Sequence, residues 1–359
     1  MSVKNQVQIK QKVVKKTDDP LKIAIISSTI YPVPPERYGG LEIIVYNLAR
    51  ELAERGHDVT LFAPHGSRTD EKYKVYPTVK PSLDFRLEQA AYETYKSKLS
   101  DYQIIHDHTH YHFAYLAKKD NPSLKIIGTW HSQVDVREPP PGILYPNMVA
   151  ISKHHAEMSS AFVGSHFEVV YNGIDPDWYR YNEKKNNYAL FLGRMARFKS
   201  PHEAIYIARA ANVPLILAGE DVFVRDDSYV MRLRQQCTVD ILYLGNVEHS
   251  KKRELLSNAL ALINYVQWHE PFGMVVVEAL MSGTPPIAKP LGAMPELIRN
   301  GRNGYLVNDT NQAVEAIYKT MDGKISPEKC LLSAKKFTPS VMADGYEKLY
   351  RRILKGDEW

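Results

Sequence analysis

The sequence predicts an α/β protein of two doubly wound parallel-sheet domains that face each other across a cleft. Three observations predict it. The chain has 359 residues, the length of two domains of ~150–200 residues each. Short apolar runs rich in β-branched residues alternate with helical periodicities, as in βαβ units. The alternation stops in a polar stretch at residues 176–187, read as an interdomain linker, and then resumes with a second set of strands.

The elements follow in order. Residues 1–20 read as a flexible basic tail: Lys4, Lys10, Lys12, Lys15 and Lys16 precede Asp18-Asp19-Pro20. Such a tail suits peripheral contact with an anionic membrane. Leu21–Ile26 is an apolar run that fits a strand buried on both faces. A Pro-rich loop follows and ends in Gly39-Gly40. Leu41, Ile44, Val45, Leu48 and Leu52 then give helical spacing, which Gly56 stops. His57–Phe62 is the next strand. Strands are also predicted at 102–105, 125–130, 147–152 and 167–170. The second set lies at 188–192, 214–219, 241–245, 259–263, 286–288 and 304–307, with a final helix at 340–354. Polar residues recur at strand carboxyl ends, the edge where open α/β sheets bind ligands.

Composition narrows the function. With 44% hydrophobic and 24% charged residues, the chain has the apolar content for two cores and is not a disordered protein. No run of 18 apolar residues predicts a membrane-spanning helix. The Lys-rich start lacks the apolar stretch of a secretory signal, so a cytoplasmic location is expected. Two cysteines, Cys237 and Cys330, exclude a disulfide framework and a Cys-type zinc site. The formal charge of +5 suits anionic small ligands or an anionic membrane face. No basic stripe interleaved with aromatics points to nucleic acid. The dinucleotide fingerprint G-x-G-x-x-G is absent after the first strand, and so is the P-loop.

The segment Asn264–Gly283 is the most informative. Pro271 fits the first turn of a helix and Gly283 its stop. Free amides at Phe272, Gly273 and Met274 at a positive helix end would bind a diphosphate. Glu278 follows Glu270 by eight residues, ~12 Å along a continuous helix. Two carboxylates so spaced could hold hydroxyls at opposite ends of one elongated ligand.

Glu270-Pro271-Phe272-Gly273 with Glu278 resembles the E-x7-E motif of retaining GT-B glycosyltransferases, specifically glycosyltransferase family four (glycosyl transferases group 1). Further segments agree in order and spacing: Gly39-Gly40-Leu41-Glu42, Val170–Asp175, Leu192-Gly193-Arg194 with Lys199, Gly283-Thr284-Pro285, and Pro295-Glu296 before Gly304. The segment Arg197-Phe198-Lys199-Ser200 departs from the family's pattern, in which Pro-Glu precedes the lysine and Gly follows it. The resemblance runs from about residue 22 almost to the end. It implies the GT-B fold, two Rossmann-like doubly wound domains: residues 21–180 as an acceptor domain joined by a C-terminal helix at 340–359, and residues 181–339 as the nucleotide-sugar donor domain.

The resemblance also implies roles. Catalysis would rest on Glu270, His131, Arg194 and Lys199. Arg194 and Lys199 would neutralise the departing nucleoside diphosphate, and Glu270 would contact hydroxyls of the donor sugar. Donor binding would add Gly40, the backbone at Phe272, Gly273 and Met274, Glu278 for the ribose, and Gly219, Glu220 and Val247 for the base. Gly39, Asp107 and His108 are candidate acceptor contacts. The dense run His106, Asp107, His108, His110 and His112 suggests a metal site, but the resemblance implies a metal-independent enzyme with no cofactor beyond the sugar nucleotide. The expected function is retaining transfer of a hexose, UDP- or GDP-linked, to a hydroxyl of a glycan, lipid or lipid-linked glycan. A sugar-nucleotide 2-epimerase and a catalytically silent GT-B binding protein are the alternatives.

Overall fold

The computed structural model describes residues 16–36, 39–69, 71–132, 145–221 and 226–359. Most of the predicted basic tail therefore lies outside the described residues. Its last part is anchored: the Thr17 N–H donates to Arg55 O at 2.9 Å, and Arg351 Nη1 donates to Asp19 Oδ2 at 2.5 Å. The chain divides into two compact units. One runs up to Ile174 and includes Phe337–Trp359; the other is Asp175–Lys336.

The first unit is built on seven parallel strands: β1 (Lys22–Ile26), β2 (Asp58–Ala63), β3 (Lys74–Pro77), β4 (Ile104–Asp107), β5 (Ile126–Trp130), β6 (Met148–Ala150) and β7 (Phe167–Val169). Their order is β3-β2-β1-β4-β5-β6-β7. Ile23, Ala24 and Ile25 in β1 are fully buried, as a central parallel strand covered on both faces requires. β3 has no counterpart among the predicted strands. It is a short edge strand ending in proline, with an exposed-to-intermediate burial pattern and therefore no long apolar run to reveal it.

Helix α1 (Gly40–Arg55) ends as predicted at Gly56, whose φ of 106° lets its N–H reach the carbonyls of Leu52 and Ala53. Helices α2 (Leu87–Tyr95) and α3 (Lys153–Val163) complete the part before residue 174. The C-terminal helix Pro339–Leu354 packs on α1. Thr338 caps it, and it buries Met342, Ala343, Tyr346, Leu349, Tyr350 and Ile353. Arg55 closes the contact: its guanidinium binds Glu51, Asp344, Glu347 and Ser340 O.

The second unit has six parallel strands: β8 (Ala189–Leu192), β9 (Leu215–Ala218), β10 (Ile241–Gly245), β11 (Ala261–Asn264), β12 (Pro286–Ala288) and β13 (Tyr305–Leu306). Their order is β10-β9-β8-β11-β12-β13. Its helices are α4 (Pro201–Ala210), α5 (Asp227–Gln235), α6 (His249–Asn258), α7 (Met274–Met281), α8 (Met294–Leu297), α9 (Thr310–Met321) and α10 (Pro327–Ala334). Both sheets reverse direction beside their first strand, at β1/β4 and at β8/β11. These are the switch points where doubly wound folds form ligand crevices.

One local expectation gains detail and one is corrected. Residues 176–187, read as the interdomain linker, follow the boundary between the units and are docked along the second unit. The Lys185 ammonium donates to Ser257 O, Ser282 O and Thr284 Oγ1 at 2.8–3.0 Å, and the Asn186 N–H donates to Asn258 O. Polar residues were needed there to satisfy buried carbonyls, so polarity did not signal solvent. The helix expected from Pro271 starts three residues later, at Met274. Gly273 has a left-handed φ of 95°, which a helix interior does not admit.

Candidate functional site

The second unit's switch point brings three predicted residues together. β8 ends at Leu192, just before Arg194. Lys199 closes a single 3-10 turn, Arg197–Lys199. β11 ends at Asn264 and opens into the loop that carries Glu270. The two loops are tied by the Gln267 N–H, which donates to Phe198 O at 2.9 Å. Lys199 Nζ lies 2.5 Å from Glu270 Oε2, and the Trp268 indole N–H donates to the same oxygen at 2.8 Å. Burial pulls the Lys199 ammonium below the ordinary lysine value; the Glu270 carboxylate opposes that shift, and the Arg194 charge adds to it.

The Glu270 backbone is fixed as well. Its carbonyl accepts the Ala293 N–H at 2.9 Å. Gly292 packs so closely that a Cβ there would lie 2.3 Å from Glu270 N and O. Only glycine permits that approach, and its φ of 62° requires the same freedom.

Arg194 neighbours Lys199, and Glu220 neighbours Arg194. Arg194 Nε and Glu220 Oε2 are both buried without a hydrogen-bond partner, which leaves polar capacity for a ligand. Burial raises the Glu220 pKa, and the Arg194 charge partly offsets the rise. Gly219 is dictated by crowding: with φ of 143°, a Cβ would lie 1.9 Å from Gly193 O. Val247 follows β10 and is half-buried.

Gly273 caps α7, and its carbonyl accepts the Val276 N–H at 3.0 Å. The amides at the start of the helix, Met274 among them, have no intrahelical acceptor by geometry, so the positive helix end suits an anion. Phe272 contributes a core side chain. Glu278, one helix face further on, is buried; its Oε1 accepts from Tyr179 OH at 2.8 Å and from Lys252 Nζ at 2.6 Å. Sequence reasoning missed Tyr179, Lys252 and Trp268. Only Trp268, two residues before Glu270, carried a local signal.

The remaining predicted residues lie at the first unit's switch point. Gly39 precedes α1 with φ of 152°, and a Cβ there would meet Pro35 Cβ at 2.7 Å; Gly40 is the first residue of the helix. Asp107 is fully buried at the end of β4. Its two oxygens accept the Thr109 and Ala114 amides at 2.8 and 3.2 Å, so it shapes the loop that follows. Glu88 does the same for His110 and Tyr111. His108 Nδ1 is 2.8 Å from His131 Nε2. His106 bridges Tyr350 OH and Thr129 Oγ1, both at 2.7 Å. Burial, reinforced by neighbouring imidazoles, holds His106, His108 and His131 well below the ordinary histidine value, so they are neutral at pH 7. Among the described residues no three His, Cys, Asp or Glu side chains are grouped to hold a metal ion, and no helix is long and apolar enough to cross a membrane.

Comparison with known proteins agrees with this fold. Residues 38–178 match the family model Glycosyltransferase Family 4, and residues 180–337 match Glycosyl transferases group 1. The chain is 24% identical over 347 residues to spore coat protein SA of Bacillus subtilis, covering 86% of this chain and 91% of that one. It is 24% identical over 394 residues to N-acetyl-alpha-D-glucosaminyl L-malate synthase of Bacillus anthracis, covering 94% and 98%. Among solved structures, AviGT4, a glycosyltransferase involved in avilamycin A biosynthesis, superposes with a TM-score of 0.76 at 24% identity, covering 95% of this chain and 100% of that one. Anabaena HepE in complex with UDP-glucose gives 0.73 at 17% identity, covering 92% and 100%. Two successive glycosyltransferase family matches on two Rossmann-like parallel sheets make this chain a glycosyltransferase of GT-B fold.

Proposed function

We propose that the protein is a retaining, metal-independent hexosyltransferase of glycosyltransferase family four. It takes the sugar from a UDP- or GDP-linked donor and passes it to a hydroxyl of a glycan, lipid or lipid-linked glycan. The carrying observation is the cluster of Arg194, Lys199 and Glu270 at the β8/β11 switch point, beside the start of α7. Two cations and a positive helix end suit a diphosphate, and a carboxylate beside them suits sugar hydroxyls. The solved structure of HepE with UDP-glucose and the mycobacterial phosphatidyl-myo-inositol mannosyltransferase among the relatives support a nucleotide-sugar donor and a lipid-type acceptor.

In this reading the bond from the anomeric carbon to the donor phosphate breaks as the acceptor oxygen forms its bond on the same face. A phosphate oxygen takes the acceptor proton. Negative charge grows on the leaving diphosphate, and Arg194 and Lys199 are already in place to stabilise it, so little reorganisation is needed. Glu270 orients the sugar, and Glu278, preset by Tyr179 and Lys252, accepts from the ribose hydroxyls. The protein works at a cytoplasmic membrane face or free in the cytoplasm.

The test is a thermal-shift series with UDP, GDP and ADP, then their sugars. A nucleotide at 100 times its Kd adds about 2.7 kcal/mol. The reading expects a selective shift with one base, a product of retained anomeric configuration by NMR, and turnover that survives EDTA. No shift with any nucleotide would overturn it.

A further inference from the structure

Trp268 has no part in the chemistry above, yet it touches both members of the Lys199–Glu270 pair. Its indole N–H donates to Glu270 Oε2 at 2.8 Å. Its ring face lies 4.5 Å from the Lys199 ammonium. The ring itself is held: Phe198 meets it edge-on at 5.1 Å, and the backbone bond from Gln267 to Phe198 fixes the spacing of the two loops. Phe198 also lies 5.4 Å from the Arg194 guanidinium.

The pair alone would be a poor arrangement for binding a donor. A largely buried ammonium and carboxylate at 2.5 Å neutralise each other, and a diphosphate must draw the ammonium away. The carboxylate left behind would be a partly buried charge without its counter-ion, which is costly, and it would be free to rotate. Trp268 supplies what the pair lacks. Its N–H stays on Oε2 when the lysine moves, and Oε1 is the oxygen left for a ligand. The ring face gives the ammonium a second attractive surface that does not neutralise it.

We propose that Trp268 is a positioning residue that keeps Glu270 aimed while Lys199 passes from the carboxylate to the donor diphosphate, its N–H serving the carboxylate and its ring face the ammonium. The proposal rests on the donor reading above. It assigns the two contacts to different ends of the donor: the N–H to the sugar end, the face to the phosphate end.

Two variants of the full chain separate these ends. Trp268→Phe keeps an aromatic face and loses the N–H; Trp268→Leu loses both. In the wild type the Trp268 indole N–H resonance, assigned by its absence in Trp268→Phe, should move on Glu270→Gln. For the nucleoside diphosphate that binds the wild type, Trp268→Phe should leave the Kd within about threefold while kcat with the corresponding sugar nucleotide falls about tenfold or more. Trp268→Leu should also weaken the free diphosphate by about tenfold. A tryptophan that merely fills space would instead lower the melting temperature and shift both variants alike. An indole resonance indifferent to Glu270→Gln overturns the proposal, and so does wild-type kcat in Trp268→Phe or equal diphosphate affinity in the two variants. If the wild type binds none of UDP, GDP and ADP, the failure appears before any variant is made. The donor reading then falls and takes this proposal with it.

Discussion

Lys199 and Glu270 are 71 residues apart in the chain and 2.5 Å apart in the fold, with both side chains largely withdrawn from water. Each therefore holds the other in the unliganded protein. Glu270→Ala and Lys199→Ala should each reduce kcat by about 10²–10³, the usual effect of removing one preset group that stabilises developing charge. Circular dichroism should show the fold intact, because the pair sits in loops beyond the carboxyl ends of β8 and β11, outside the apolar core. Turnover at the wild-type level in either variant sinks the site.

On the proposed function, Lys199 must carry its proton to meet the diphosphate. Burial lowers its pKa from the ordinary 10.5, so the lysine discharges earlier as pH rises. The alkaline limb of kcat/KM, which reports the free enzyme, should fall below pH 10.5. The limb of kcat should lie higher, because a bound diphosphate favours the charged form. Lys199→Arg should move the kcat/KM limb upward, since arginine stays charged. Identical limbs in wild type and arginine variant would remove Lys199 from the titration.

Gly219→Ala should abolish donor binding and lower stability. The new methyl would stand 1.9 Å from Gly193 O, so the loops leading to Arg194 and Glu220 must separate. Chemical denaturation and nucleotide titration of this variant measure the two losses together.

Lys185→Met should cost about 2–4 kcal/mol, since it leaves buried carbonyls of Ser257 and Ser282 without their donor. Urea denaturation checks this. A change below about 0.5 kcal/mol, the size of an ordinary surface substitution, would mean that residues 176–187 do not dock in solution.

Arg55→Met should cost about 3–5 kcal/mol, the usual effect of breaking a buried ion pair by removing one partner. It takes the guanidinium from the fully buried Glu51 and cuts the links from α1 to Asp344, Glu347 and Ser340. Limited proteolysis should then cut near the C-terminal helix sooner than in the wild type, although its apolar face and the bonds from Glu347 to His57, Tyr350 to His106 and Arg352 to Glu168 remain.

Much of the fold was legible because it is local. A parallel strand buried on both faces must be a continuous apolar run, as Ile23–Ile26 is. A helix stop that needs φ above zero selects glycine, as at Gly56. Elements without such signals were not legible: β3 is too short and too exposed, and residues 176–187 use polar side chains to satisfy buried backbone. The start of α7 was misplaced because proline at position 271 is as acceptable in the preceding loop as in a first helical turn, and only the left-handed Gly273 decides between them.

The candidate site divides the same way. Glu270, Glu278, Arg194 and Lys199 could be named from spacing and resemblance, because a chemistry that needs a diphosphate and hydroxyls restricts residue types. Which cation faces which carboxylate could not. Lys252 reaches Glu278 from α6, Tyr179 from a stretch read as linker, and Trp268 lies between Lys199 and Glu270. The sequence by itself determined two parallel α/β sheets and the chemical inventory at their carboxyl edges, since strand burial and glycine conformations act over a few residues. The tertiary structure decided the partners of each charge. Pairing is a long-range matter of which loops the sheet order brings side by side, and burial then fixes the cost of every charge left alone.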